Sequence, residues 1–186
     1  HFTTIIKVYQ LRGFRVTLLL ADNQFASLST DLATLGVATN IVSRDEHVPD
    51  IERYIRTIKD RVRSQYSVLP FNHIPPLLLT ELVYAQVFWR NMFVAPDGIS
   101  TTMSPSEIIL NRKIDYNKHC QLEFGDYVQT HEEHDNSLAP RTVGAIATRP
   151  TGNIQGGYYF IRLDTGRRIS RRRWTSLPMP DLITDQ

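Results

Sequence analysis

Asp22 and Glu52 are the two residues of this sequence whose types and placing could do chemistry together. Asp22 follows an apolar run at 15–21 (RVTLLLA), and Glu52 stands near the start of a helical pattern, with 29 residues between them. Two carboxylates brought close repel one another and are stable as a pair when a divalent cation lies between them. Oxygen-only ligation favours Mg²⁺ or Mn²⁺. Such a site carries out two-metal phosphoryl transfer, one ion activating a hydroxyl and the other stabilising the leaving oxygen. Arg56, Lys59 and Arg63 recur on the helical stripe of Glu52, where a nucleic-acid backbone would run. Plainer readings stand beside these. Asp22-Asn23 is a good turn pair, and Asp22 could cap the next helix. Glu52 and Arg56 have the spacing of an ordinary ion pair on a solvated face.

The elements that must position these groups follow from periodicity. Residues 48–63 read as one helix, with Pro49 suited to its first position and Ile51, Ile55, Ile58 and Val62 forming an apolar stripe. Residues 3–11 read as a helix with Ile5, Ile6, Val8, Tyr9 and Leu11 as core candidates, stopped by Gly13. Residues 15–21 read as a buried strand that delivers Asp22 at its C-terminal end, where α/β folds place ligand-binding groups. A short helix at 25–35, a strand at 37–42 and a polar connection at 43–47 complete this part.

Residues 77–93 form a long apolar helix with Leu78, Leu82, Ala85, Val87, Phe88, Trp89 and Phe93 as buried candidates. Ser104-Pro105-Ser106-Glu107 fits a capping box that opens a short helix. From Phe124 the texture changes to strands at 124–129, 142–148, 156–163 and 167–174. Turns at 149–153 and 164–166 join the later ones. A small antiparallel barrel or sheet is the expected outcome. The boundary falls near 115–123, giving units at 1–115 and 116–180.

Composition bounds the function classes. A hydrophobic fraction of 41% and a charged fraction of 22% are ordinary for a globular chain and exclude a disordered tract. No apolar run approaches a membrane span. The lone Cys120 excludes an intrachain disulfide and argues for a reducing compartment; its context is that of a structural thiol. The sequence begins at His1 within an apparent element, without Met or a signal peptide, and reads as a fragment.

Charge is unevenly spread: 9 Lys/Arg against 7 Asp/Glu in 1–75, 4 against 9 in 76–140, and 8 against 3 in 141–186. The basic C-terminal part points to an anionic partner. Arg167, Arg168, Arg171, Arg172 and Arg173, beside Trp174, suit phosphate-backbone binding; a charged edge strand that resists aggregation is the alternative. His131-Glu132-Glu133-His134 lacks metalloprotease order and sits in a polar loop, so it is read as solvated. His47 could approach the carboxylate pair but is read as a loop histidine in solvent; Asp45 or Glu46 could replace Glu52 as ligand, with Glu52 preferred over both.

In order and approximate spacing, several motifs resemble the integrase region of Ty1/copia-type retrotransposon polyproteins, particularly the copia-like elements of algae. Leu20-Ala21-Asp22-Asn23 resembles the strand carrying the second Asp of the family's Asp, Asp, Glu triad. Pro49-Asp50-Ile51-Glu52-Arg53, with Arg56-Thr57-Ile58-Lys59, resembles the helix bearing the Glu and its DNA-contacting cations. Phe88-Trp89-Arg90-Asn91 and the segment 104–113 resemble the end of that core, and Phe124-Gly125-Asp126-Tyr127-Val128 resembles the start of the β unit that follows it.

The resemblance covers almost the whole chain. It implies an α/β fold in which a partial ribonuclease-H-like integrase core precedes a small antiparallel β unit. It further implies DNA integration by metal-dependent phosphoryl transfer, with Asp22 and Glu52 as catalytic residues and as ligands of Mg²⁺ or Mn²⁺. Arg53, Arg56, Lys59, Arg63, Arg171, Arg172 and Arg173 would meet nucleic acid. The implied partners are retroelement and target DNA and, in the full-length protein, further copies of itself. The implied place is the nucleus, reached by way of a cytoplasmic particle.

The departures from the family are definite. The Asp22–Glu52 spacing is shorter than usual, the usual Gly after Asp-Asn is Gln24, and a charged segment at 44–48 replaces a Gln/Gly-containing loop. No Asp or Glu precedes Asp22, so the triad's first carboxylate is missing, as is the N-terminal His/Cys zinc module. A non-catalytic nucleic-acid-binding remnant of a decayed element is the alternative expectation.

Overall fold

The computed structural model describes residues 1–42, 49–96, 98–133 and 136–184, with the backbone alone at Asp50. The candidates Asp45, Glu46, His47 and His134 and the charged segment 44–48 lie outside the described residues. The chain is a mixed α/β protein: a two-stranded parallel sheet among helices, then a five-stranded antiparallel sheet.

Helix α1 (Phe2–Leu11) leads into strand β1 (Leu18–Asp22). A 3₁₀ turn (Asn23–Leu28) and helix α2 (Ser29–Thr34) then carry the chain to strand β2 (Ala38–Val42). The two strands run parallel, from Leu18 opposite Ala38 to Asp22 opposite Val42. Ile6, Leu32 and Val37 form the small core beneath them, with Val16, Leu19 and Leu28 packed around it.

Residues 15–21 were expected to be buried on both faces, and here the structure differs. Leu19 and Ala21 turn toward that core, whereas Leu18 is 52% and Leu20 45% exposed. Alternate side chains leave a strand on opposite faces, and α1 and α2 supply cover for one face only. For the same reason α1 buries Ile6 and leaves Ile5, Tyr9 and Leu11 exposed.

Helix α3 (Pro49–Tyr66) packs on helix α4 (Pro76–Met92). Its apolar stripe is seated only in the second half: Ile58 is buried and Val62 half-buried, while Ile51 and Ile55 are exposed. Helix α4 buries Leu78, Leu82, Ala85 and Met92, together with the polar Glu81 and Gln86; Phe93 lies past its end and is exposed. Helix α5 (Pro105–Leu110) opens with the expected capping box. Ser104 Oγ accepts from the Glu107 N–H at 3.2 Å, and the Ser104 N–H donates to Glu107 Oε2 at 3.1 Å.

A short helix α6 (Tyr116–His119) precedes strands β3 (Tyr127–His131), β4 (Thr142–Pro150) and β5 (Tyr158–Arg162). Residues 167–174, expected as one strand, form two: β6 (Arg168–Arg171) and β7 (Trp174–Ser176). A last short helix, α7 (Asp181–Thr184), follows. The sheet order is β6-β5-β4-β3-β7, so β6 and β7 lie at opposite edges although only Arg172 and Arg173 separate them. The chain from Arg171 to Trp174 can reach no more than about 10 Å. The sheet therefore curls until its edges nearly meet, a partly closed barrel.

Inside the barrel, Leu122, Val128, Ala145, Ala147, Tyr158 and Phe160 form the core, with Ile169 and Trp174 against it. The Tyr158 hydroxyl donates to the His119 carbonyl and accepts from the Gln121 N–H at 2.9 Å. His119 is buried, with Nε2 2.8 Å from the Asn153 carbonyl and Nδ1 accepting from the Asp115 N–H at 3.1 Å. These bonds fix α6 to the barrel floor.

Candidate functional site

Asp22 is the last residue of β1 and also the cap of the 3₁₀ turn, as the plainer reading expected. Its Oδ1 accepts from the Asn23 N–H at 2.6 Å, which fixes the carboxylate; Oδ2 has only a 3.5 Å contact with Gln24 Nε2. Glu52 lies near the start of α3. Asp22 and Glu52 line one cleft of about 380 Å³, whose other walls include Phe2, Phe25, Val42 and Ile51. The parallel pairing of β1 with β2 carries the chain back to the same sheet end, and α3 begins there. The fold thus brings the two carboxylates to one cleft.

Hard oxygen donors beside an apolar wall fit a divalent cation such as Mg²⁺ or Mn²⁺. Asp22 and Glu52 supply two such donors; among the described residues, no group of three or more His, Cys, Asp or Glu side chains gathers to hold a metal.

The cations of α3 lie on the open side of the helix. Arg53, Arg56, Lys59 and Arg63 are all exposed. Arg63 Nη1 contacts Asp60 Oδ1 at 3.0 Å, an exposed pair of little energetic weight. Arg53, Arg56 and Lys59 form no ion pair with a described residue. They continue from Glu52 as a row of charge.

The C-terminal arginines divide differently. Arg168 Nη1 reaches Glu81 Oε1 at 2.8 Å, and Arg171 Nη2 reaches Glu132 Oε2 at 2.7 Å. Arg162 adds a 3.5 Å contact to the same Glu132 oxygen. The hydrogen bond from Arg171 holds the Glu132 carboxyl below its ordinary pKa, with the neighbouring positive charges contributing. Arg171 is thus engaged across the barrel seam. Arg172 and Arg173 sit at the corner between β6 and β7, exposed, and line a cleft of about 550 Å³ with Arg141 and His131. Alternation along a single strand does not apply to them, because the strand ends at Arg171.

The described residues 131–133 belong to no group of metal-ligand type among the described residues: Glu132 is bound by arginines, and His131 Nε2 lies 3.4 Å from Thr175 Oγ1. Cys120 is exposed, and desolvation raises its pKa, which disfavours the thiolate.

Sequence reasoning missed Glu81 and Glu132 as counter-ions. For Glu81 a signal was present. It falls on the stripe of Leu78, Leu82 and Ala85, and a charge on a buried stripe requires a partner. No protein-family model matches this chain, and no curated protein matches it.

Proposed function

We propose that this chain is part of a DNA integrase of the Ty1/copia type, with a ribonuclease-H-like core that joins DNA ends by metal-dependent phosphoryl transfer. The observation that carries this reading is the meeting of Asp22 and Glu52 in one cleft, beside a row of exposed cations. Asp22, held by the Asn23 N–H, and Glu52 on α3 would bind Mg²⁺ or Mn²⁺. When bound, the metal activates a hydroxyl and stabilises the charge that develops on phosphate oxygens. Arg53, Arg56 and Lys59 attract the DNA backbone and set its track along α3, with Arg63 further down once it exchanges Asp60 for phosphate. Arg172 and Arg173 offer a second phosphate contact at the barrel corner, while Arg171 braces that corner through Glu132. The partners are retroelement ends and target DNA, with an oligomer of the full-length protein as the working form in the nucleus.

The first carboxylate of the family's triad has no counterpart before Asp22. Strand joining is therefore tested on a polypeptide that also contains the family's first-Asp strand. Asp22→Asn and Glu52→Gln should each abolish it; unchanged activity in both overturns the assignment. On the present chain, Mn²⁺ should broaden NMR signals around Asp22 and Glu52, and both substitutions should remove the effect.

The exposed cations also favour a second reading, nucleic-acid binding without catalysis, because they do not depend on a metal. DNA affinity unchanged by Glu52→Gln, with no strand joining by the extended polypeptide, would select it.

A further inference from the structure

A different cleft, of about 460 Å³, opens where the end of α3, the face of α4 and the approach to β3 meet. It shares no lining residue with the cleft of Asp22 and Glu52. Its size falls within the roughly 300–1,000 Å³ typical of ligand sites. Six side chains matter: Gln65, Gln86, Trp89, Phe93, Glu123 and Phe124. The rings of Trp89 and Phe93 are stacked, with centroids 5.8 Å apart and planes at 17°. Phe93 is 42% exposed, so this aromatic face is open.

Gln86 supplies the second, independent observation. The residue is 9% exposed, and its carboxamide makes no hydrogen bond to a described residue and stays open to the cleft. Gln65 is half-buried and adds a second carboxamide to the lining. Glu123 is exposed at the rim, and its carboxylate has no partner among the described residues.

Stacking surface plus amide and carboxylate groups is the chemistry that reads an unstacked base. A carboxylate only accepts hydrogen bonds, so it favours a base edge with adjacent N–H donors. Guanine offers such an edge at N1–H and N2–H, and its O6 and N7 accept from a carboxamide. Adenine and cytosine each turn a ring-nitrogen acceptor toward the carboxylate, and uracil flanks its single N–H with two carbonyls.

We propose that this cleft takes one unstacked guanine base, with Trp89 and Phe93 giving the stacking face, Glu123 reading the donor edge and Gln86 satisfying the acceptors. Glu123 repels a neighbouring phosphate, so the sugar and phosphate leave the cleft on the side away from it. The base can come from a single strand or from a free nucleotide. Only the strand source rests on the nucleic-acid reading above.

The test follows fluorescence of Trp89, in a Trp174→Phe background, on titration with GMP, AMP, CMP and UMP. A second series uses oligothymidylate with and without one internal dG. GMP, the dG-containing strand or both should quench saturably, with the other nucleotides and plain oligothymidylate at least tenfold weaker. A response to the strand alone identifies a nucleic-acid source; a response to GMP alone identifies a free nucleotide. Gln86→Leu and Glu123→Gln should each weaken guanine binding at least tenfold. Gln86→Leu should unfold as cooperatively as its parent, so that lost binding is not lost fold. Quenching that ignores base identity, or survives both substitutions, overturns the proposal. Mn²⁺ binding retained at Asp22 and Glu52 in the Gln86→Leu protein separates this inference from the metal reading.

Discussion

Glu81 is 1% exposed on α4, with Arg168 2.8 Å from one carboxylate oxygen and Arg149 3.5 Å from the other. Both guanidiniums also lie over the Tyr159 ring, at 4.9 and 4.5 Å from its centroid. This cluster ties the long helix to three strands of the barrel. Removing one partner of a buried ion pair costs about 3–5 kcal/mol. Arg168 is 44% exposed and can turn to water, so Glu81→Ala should fall at the lower end of that range in urea unfolding. Glu132 gives a pH signature. Its pKa is lowered from 4.5, so its contribution to stability is in place above that value and is lost as pH falls through the lower, folded-state value. Glu132→Gln should lower the melting temperature at pH 7 and flatten the acid limb of the pH–stability curve. Glu132 itself looked like any acid of a polar loop, because its partners lie 30 or more residues away in sequence.

At the scale of elements, local chemistry was the readable part. The Ser104 to Glu107 box forms as its spacing implies, and Ser104 is buried. Ser104→Ala should cost about 1 kcal/mol in chemical denaturation. Gly156 shows the limit of such reading. Its φ is +77°, and a Cβ there would stand 2.7 Å from that of Lys118. Gly156→Ala should therefore lose more than the roughly 1–2 kcal/mol of a left-handed residue alone, measured by thermal melting. The close approach belongs to α6, which the sequence reading did not anticipate. Apolar pattern announced β1 but not how many faces would be covered, since coverage depends on neighbouring elements. The break at Arg172 and Arg173 was hidden for a similar reason: pairing to opposite edges, rather than local propensity, ends β6 and starts β7.

Across the whole molecule, two kinds of order coexist. The barrel has the antiparallel ladders and the buried aromatic core, whereas β1 and β2 make a two-stranded sheet with exposed leucines. Native-state hydrogen exchange should give β4 and β5 amides higher protection than those of β1 and β2. If α3 tracks DNA, replacing Arg53, Arg56 and Lys59 by Gln should reduce the slope of log affinity against log salt by about 2–3, near one unit per lost phosphate contact. An unchanged slope would remove α3 from the DNA track. Of the candidate site, the meeting of Asp22 and Glu52 was legible from a strand end and a helix start. The commitment of Arg168 and Arg171 to internal partners was not.

The two-residue link at Arg172 and Arg173 has a consequence for how the chain is made. Strand β7 closes on β3, more than 40 residues earlier in the sequence. On a translating ribosome, β3 to β6 can emerge and pair while the outer edge of β3 still lacks its neighbour. The barrel seam can close only after Ser176 has cleared the exit tunnel. Until then that unsatisfied edge is open to another nascent chain, and a chaperone or a pause in synthesis near this point would act on a nearly finished barrel.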